Sequence, residues 1–367
     1  MNSYERYHTA MQFKKPDRVP LDIWVRDELW DSLKKHVGIE DDEEMRKYLG
    51  LDIYSAGCHV DFPSDFKERL KKQGKEGARV IFHPDGGQES MWGYIERPGA
   101  DGMYMEWMSG PFKDDPDLSR FNFPDFSILE RAETIKPRVD RLHKLGLPVH
   151  GGVSLPFKMC WHQRGLENFL MDMHINQEFA EKLLDWWYAF ETEKGCRIAK
   201  AGADTITITG DIGMQDRLLL NPEKWREIEK PRMKRMIQAF KKANPKKPPY
   251  AFFHSDGDVS EVIPDLIEIG LDILNPIQPE CMDVAEIGRL YRGKLRFHGA
   301  ISIQETLPKG TEEDVRKEVR HRIDNLGPNG GYILCPANVT QVDTPVKNLL
   351  AMYDEAKKYS AEVYSRK

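Results

Sequence analysis

Eight short runs of β-branched and aromatic residues recur along the chain, and most are followed by a stretch with helical periodicity. This alternation limits the fold more than any other feature. The runs are VPLDIWV (19–25), DIYSAG (52–57), PVHGGVS (148–154), TITITGD (205–211), YAFFHSD (250–256), ILNPIQP (273–279), RFHGAIS (296–302) and YILCPAN (332–338). Strands alternating with helices predict a parallel sheet, and eight such units suffice to close a (β/α)₈ barrel of the TIM type. An open doubly wound sheet has the same local pattern, but no GxGxxG follows the first run, so the barrel is the expected α/β architecture. Asn221 with Pro222 and Thr311 with Gly327 mark the ends of two of the helices.

The spacing breaks once, between the second and third runs, at about 60–147. Turn glycines at 86–87 and 99–102 punctuate strand-like sequence there, which predicts an antiparallel hairpin inserted into one barrel domain spanning 1–367. Such an insertion roofs the barrel mouth or forms a small packing subdomain. Its aromatics Trp92, Tyr94, Tyr104 and Trp107 accordingly line a pocket and flank a docking surface, pack inward, or meet a second copy in a homodimer. With 54 Lys and Arg against 60 Asp and Glu, the net charge of −6 offers no general basis for holding nucleic acid or an anionic membrane. No apolar run is long enough to span a bilayer, and MNSYERYHTAMQFKKPDRVP lacks a signal-peptide core, so a cytoplasmic protein is expected. Five scattered cysteines without a CxxC pair argue against a disulfide framework.

Strand ends of a parallel barrel share one mouth, where polar residues distant in sequence converge. The residues so placed are His59, His150, Asp211, His254, Asp256, Gln278, Glu280, Cys335 and Asn338. His254 and Asp256 lie two apart on one strand, so their side chains share a face. They suit a divalent metal or an oriented base, or else a structural hydrogen bond closing the barrel top. Cys335 reads equally as a small core residue, Asp211 as a turn or cap residue, and His59 and His162 as exposed loop histidines. Arg26, after the first run, binds an anionic group or pairs with Asp27 or Glu28.

FHSDGDVSEVIPDLIEIGLDILNPIQPECMDVAEIGRLYRGKLRFHGAISIQETLPKG, GGYILCPANVTQVDTPVKNLLAMYDEAKKY and GDIGMQDRLLLNPEKWREIEKPRMKRM together resemble the uroporphyrinogen decarboxylase superfamily over nearly the whole chain. DTPVKNLLAM is similar to the family's TPPEN segment. The resemblance implies a (β/α)₈ barrel and one of two chemistries: cofactor-free decarboxylation of uroporphyrinogen, or methyl transfer to or from a corrinoid protein with the help of zinc. The decarboxylases' RQAGR motif corresponds here to Arg26-Asp27-Glu28-Leu29-Trp30, with the second arginine lost. Their functional aspartate, tyrosine and last-strand histidine match His59, His162 and Asn338 respectively. The resemblance therefore implies the methyltransferase branch. That branch's HxC and later Cys, its zinc ligands, correspond to His254, Asp256 and Asn338, with Cys335 as a sulfur ligand if the strand end bulges.

The resulting expectation is a methyltransferase that takes a methyl group from a small methoxylated or methylated compound to a corrinoid, with a metal activating the leaving heteroatom. Because no DxHxxG signature occurs, the corrinoid would arrive on a partner protein. His254, Asp256, Asp211 and His162 are the expected catalytic residues. Arg26, His59, His150, Gln278, Trp92 and Tyr94 are expected to bind substrate. The metal, expected to be zinc, falls to His254, Asp256, Asn338 and Cys335. The alternatives are a metal-independent decarboxylase of a smaller acid, or transfer from the corrinoid protein to tetrahydrofolate or a thiol.

Overall fold

The computed structural model describes residues 1–366 except Asp101 and Met103, so the turn expected at 99–102 lies partly outside the described residues. Its strands form two sheets. In chain order, β1 (Tyr54–Ser55) begins a parallel sheet, and β2 (Val80–Phe82), β3 (Gln88–Ser90), β4 (Ile95–Pro98) and β5 (Met105–Ser109) form a separate antiparallel one. The parallel sheet then continues through β6 (Val149–Ser154), β7 (Thr205–Thr209), β8 (Tyr250–His254), β9 (Ile273–Asn275), β10 (Arg296–Ile301) and β11 (Tyr332–Pro336). Each of these seven strands lies beside its predecessor in the parallel sheet, giving a curled sheet with the order β1-β6-β7-β8-β9-β10-β11.

The first expected strand, 19–25, is not a regular strand. It touches β11 and the segment after it through isolated parallel bridges, Leu21 to Leu334 and Val25 to Thr340. On its other side the Asp52 amide donates to the Leu21 carbonyl at 2.8 Å. The segment thus bridges the two edges of the curled sheet. Its ladder is broken in part because the Asp22 carboxylate takes the amide of Ile23 at 2.8 Å. β9 stops at Asn275 because Pro276 has no N–H to continue the pairing.

One end of the sheet interior is sealed by the helix Ser3–Met11, whose start carries a reciprocal Asn2–Glu5 capping box. Its Tyr7, Ala10 and Met11 pack with Ile53, Phe252, Ile273 and Ile333 in a dry cluster, and the Tyr7 hydroxyl lies 2.5 Å from the Thr205 hydroxyl. The helices predicted around 221–243 and 311–327 appear as Pro222–Ala243 and Glu312–Leu326, capped by Asn221 and Thr311 as the sequence implies.

The antiparallel region is larger than a hairpin, with four strands backed by the helix Ser64–Lys72 through Phe66, Leu70 and Ile81. It is fastened to the parallel-sheet part by aromatic packing. Trp92 lies edge-on to Trp187 and Phe190, with centroids at 4.7 and 5.2 Å. Trp107 donates its indole N–H to the His162 carbonyl at 2.7 Å, and its ring fits against Gly165. Gly165 has φ +87°, and a Cβ there would come within 2.9 Å of the indole, so glycine satisfies both the backbone and the close approach.

Candidate functional site

Strand alternation carries the dry interior cluster upward into a polar one. Two residues beyond Phe252, Ile273 and Ile333, on the same faces of their strands, stand His254, Asn275 and Cys335. His254, Asn275 and His298 are buried and joined by hydrogen bonds. His254 Nδ1 lies 2.6 Å from Asn275 Oδ1, Asn275 Nδ2 lies 2.8 Å from His298 Nδ1, and His298 Nε2 lies 3.1 Å from Asp22 Oδ2. An amide oxygen only accepts and an amide nitrogen only donates, so the direction of the chain follows. His254 carries its proton on Nδ1 and His298 carries its proton on Nε2. The chain ends on the Asp22 carboxylate, which the His298 hydrogen bond holds below the usual carboxylate range despite burial. In the neutral ring the His254 lone pair is therefore on Nε2.

That lone pair faces two carboxylates. Donor atoms of His254, Asp211 and Asp256 lie within 4.8 Å of one another, and His254 Nε2 is 3.8 Å from Asp211 Oδ1. The loops after β7 and β8 hold this arrangement. The Asp256 amide donates to Asp211 Oδ1 at 2.9 Å, and the Gly257 amide to Gln278 Oε1 at 2.8 Å. Gly257 has φ +83°, and a Cβ there would come within 2.4 Å of the Met214 carbonyl, so the two loops approach as only glycine allows. Burial raises the Asp256 carboxyl above its ordinary pKa, His254 opposes that rise, and neighbouring Asp211 adds to it. Two carboxylates drawn together around an imidazole lone pair make a donor set that a divalent cation would satisfy. An N/O/O set without thiolate is hard, and zinc accepts it.

The expected ligands divide. His254 and Asp256 come together. Asn338 reaches the group through Nδ2, which donates to Asp256 Oδ2, while its Oδ1 accepts the Val339 amide at 2.6 Å. As placed, Asn338 holds Asp256 in position, and Asp211 supplies the third donor. Cys335 is fully buried and groups with Asp22 and His298 instead, at the other end of the hydrogen-bonded chain.

A cavity of about 570 Å³ lies on the same strands, lined by residues other than His254, Asp211 and Asp256. Trp24 forms part of its wall and sets its ring 5.2 Å from that of His254. Asp22, His150, Thr207, Thr209 and Phe252 also line it. His150 is buried with Nε2 unpartnered, and burial lowers its pKa to about 4.

The other expected substrate residues lie elsewhere. Arg26 is half-exposed and pairs with Glu28 at 3.3 Å. His59 is exposed and tied through its backbone to Glu130. Gln278 clamps Gly257 and does not line the cavity. Trp92 packs inward, and Tyr94 stacks edge-on against His162 at 4.6 Å. His162 is itself buried in the helix Pro156–Arg164, not exposed on a loop. Burial and the Lys158 charge lower its pKa to about 3, and its Nδ1, 4.0 Å from Glu96, has no hydrogen bond. Glu280 accepts from the Ser302 hydroxyl.

Sequence reasoning missed Asp22, Asn275 and His298. Each is a polar residue inside an otherwise apolar strand run, in LDIWV, ILNPI and RFHGAI, and that anomaly was the available signal.

A model of the uroporphyrinogen decarboxylase family matches residues 108–359, and the chain belongs to that family. No curated protein matches the chain. Among solved structures, a methyltransferase from Methanosarcina mazei is similar at TM-score 0.63 and 15% identity, covering 98% of this chain and 99% of its own. A putative lyase/mutase from Burkholderia cenocepacia J2315 reaches only TM-score 0.36 at 12% identity, with 91% and 82% covered. At these identities the likeness concerns the fold.

Proposed function

We propose that the chain is a methyltransferase that moves a methyl group from a small methylated or methoxylated molecule to a corrinoid carried by a partner protein. In this reading the chain is one closed (β/α)₈ barrel with the antiparallel sheet inserted between its second and third strands. The observation that carries the proposal is the His254–Asp211–Asp256 donor group with its fixed imidazole lone pair. Family membership and the fold-level likeness to a methyltransferase support it.

His254, Asp211 and Asp256 would hold a zinc ion, which when bound stabilises negative charge developing on the heteroatom that loses its methyl. Asn275, His298 and Asp22 keep His254 in the required tautomer and orientation. Asn338 fixes Asp256, and Gln278 fixes the loop that carries it. The cavity beside Trp24 receives the body of the donor and excludes water from it. Transfer of an intact methyl needs no proton acceptor.

The test incubates the purified protein with reduced cobalamin and a panel of methoxylated and methylated compounds, and follows methylcobalamin by absorbance. At least one donor is expected to support formation, and the signal should vanish in His254→Ala. No transfer across the panel, together with carbon dioxide release from a carboxylic acid, would replace the reading with decarboxylation. No helix among the described residues is long and apolar enough to cross a membrane.

A further inference from the structure

The cavity has a chemistry of its own that the metal group does not explain. Its aromatic walls come from Trp24, Trp30, Tyr54 and Phe252, and its carboxylates are Asp22 in the floor and Asp42 and Glu43 at the rim. Arg46 is the one Lys or Arg among its lining residues, and it is already engaged. Its guanidinium donates to the Ile53 carbonyl and lies 4.4 Å from the Tyr54 ring centroid. Asp42 is held by Lys34 and the Trp30 indole, and Glu43 accepts from the Tyr54 hydroxyl at 3.0 Å. Asp22 has no Lys or Arg partner among the described residues; the ring of His298 and the Ile23 amide meet its carboxylate. The lining therefore combines aromatic surfaces with an excess of negative charge, the pattern that attracts a cation with apolar substituents.

A second observation points to a ligand independently of charge. His150 is 7% exposed, lines the same cavity, and its Nε2 lacks any partner. A buried polar atom left unsatisfied is destabilising unless something meets it. With its pKa lowered to about 4, the ring is neutral near pH 7 and carries no competing charge. A ligand with one N–H or O–H group would complete it.

We propose that this cavity is the seat of a small methylated ammonium that also carries a hydrogen-bonding N–H or O–H group. Its N-methyl groups lie against Trp24, Trp30 and Phe252, its charge is balanced by Asp22 and Glu43, and its polar group meets His150 Nε2. As a ligand site the seat stands apart from methyl transfer. Its consequence, that the methyl donor carries an ammonium head apart from the heteroatom that gives up the methyl, rests on the methyl-transfer reading.

The test needs no turnover. Choline and its uncharged isostere 3,3-dimethylbutan-1-ol have the same shape and hydroxyl and differ in the charge at one atom. Titrated into the purified full-length chain by calorimetry, choline is expected to bind at least about tenfold more tightly than the isostere, with quenching of tryptophan fluorescence. Tetramethylammonium, which lacks the hydroxyl, should bind more weakly than choline. Trp24→Leu should weaken choline at least tenfold, and the rim variants Trp30→Leu and Glu43→Gln, less exposed to folding failure, about threefold to tenfold. Equal affinity for choline and the isostere would overturn the proposal in favour of an uncharged ligand. No binding of choline, or choline binding untouched by all three variants, would overturn it as well. Choline binding without methyl transfer from any compound of the donor panel would uphold the seat and count against the methyl-transfer reading alone.

Discussion

The two ends of the parallel-sheet interior use the same strands for opposite purposes. At the end closed by the helix Ser3–Met11, the strands contribute Ile53, Phe252, Ile273 and Ile333 to a dry cluster. Two residues further along, β8, β9 and β11 contribute His254, Asn275 and Cys335, and β10 adds His298. A shift of one alternation thus separates residues that hold the sheet together from residues that bear chemistry. The difference teaches that His254, Asn275 and His298 are tolerated in this interior because each is hydrogen-bonded to the next. Stability and function should therefore be separable by mutations only two positions apart.

The largest effects are expected on β8 and β9. His254→Ala should lower methyl transfer by roughly a thousandfold or more, with the melting temperature within a few degrees of the parent. On β9, Ile273→Ala should do the reverse, costing about 2–5 kcal/mol in urea unfolding while leaving most of the activity per folded molecule. If His254→Ala unfolds the protein, the upper ring is as structural as the lower one.

Asn275 tests whether the upper ring works as a unit. Asn275→Leu keeps the volume but strands His254 Nδ1–H and His298 Nδ1, so a loss of about 1–3 kcal/mol is expected. A fall of roughly 10–100-fold in zinc affinity should accompany it, measured by competition with a chromophoric chelator. Unchanged zinc affinity would show that the hydrogen-bonded chain only supports the fold.

A smaller effect is expected from pH. His150 has a folded pKa of about 4 against 6.5 for the free side chain, so between these values the unfolded chain binds more protons. Its contribution is fully present above pH 6.5 and is lost as pH falls toward 4, by roughly 2 kcal/mol between pH 7 and 5. His150→Asn should flatten the fall in urea-unfolding free energy over that range by about this amount. A parallel slope in the variant would mean that His150 is already protonated or solvated in the folded protein. Smallest of all, Arg26→Ala removes an exposed ion pair and should change stability by less than about 0.5 kcal/mol and activity by less than twofold. A large loss there would restore Arg26 as a substrate clamp.

The alternation of strands and helices was plain in the sequence because burial on both faces makes parallel strands continuous apolar runs. His254, Asp256 and Asp211 were legible for the complementary reason, as polar residues where such runs end. The chain from Asp22 through His298 to Asn275 was harder to see, since its members sit within the runs and look individually like ordinary interruptions. Asn338 could be placed near the site, but which amide atom faces Asp256 depends on the Val339 backbone, which a linear sequence does not reveal. The antiparallel region was read as an insertion from its turn glycines. The direction of Trp92 depended on Trp186, Trp187 and Phe190, about a hundred residues away.

The central claim is that His254, Asp211 and Asp256 form a metal site at the polar end of the sheet. Zinc analysis by plasma mass spectrometry tests it most directly, on wild-type protein and on His254→Ala and Asp256→Ala, each exposed to zinc and dialysed identically. The account predicts close to one zinc per wild-type chain and little in either variant, with folding unchanged by circular dichroism. A wild-type chain that retains no zinc, or variants that retain as much as the wild type, would contradict it.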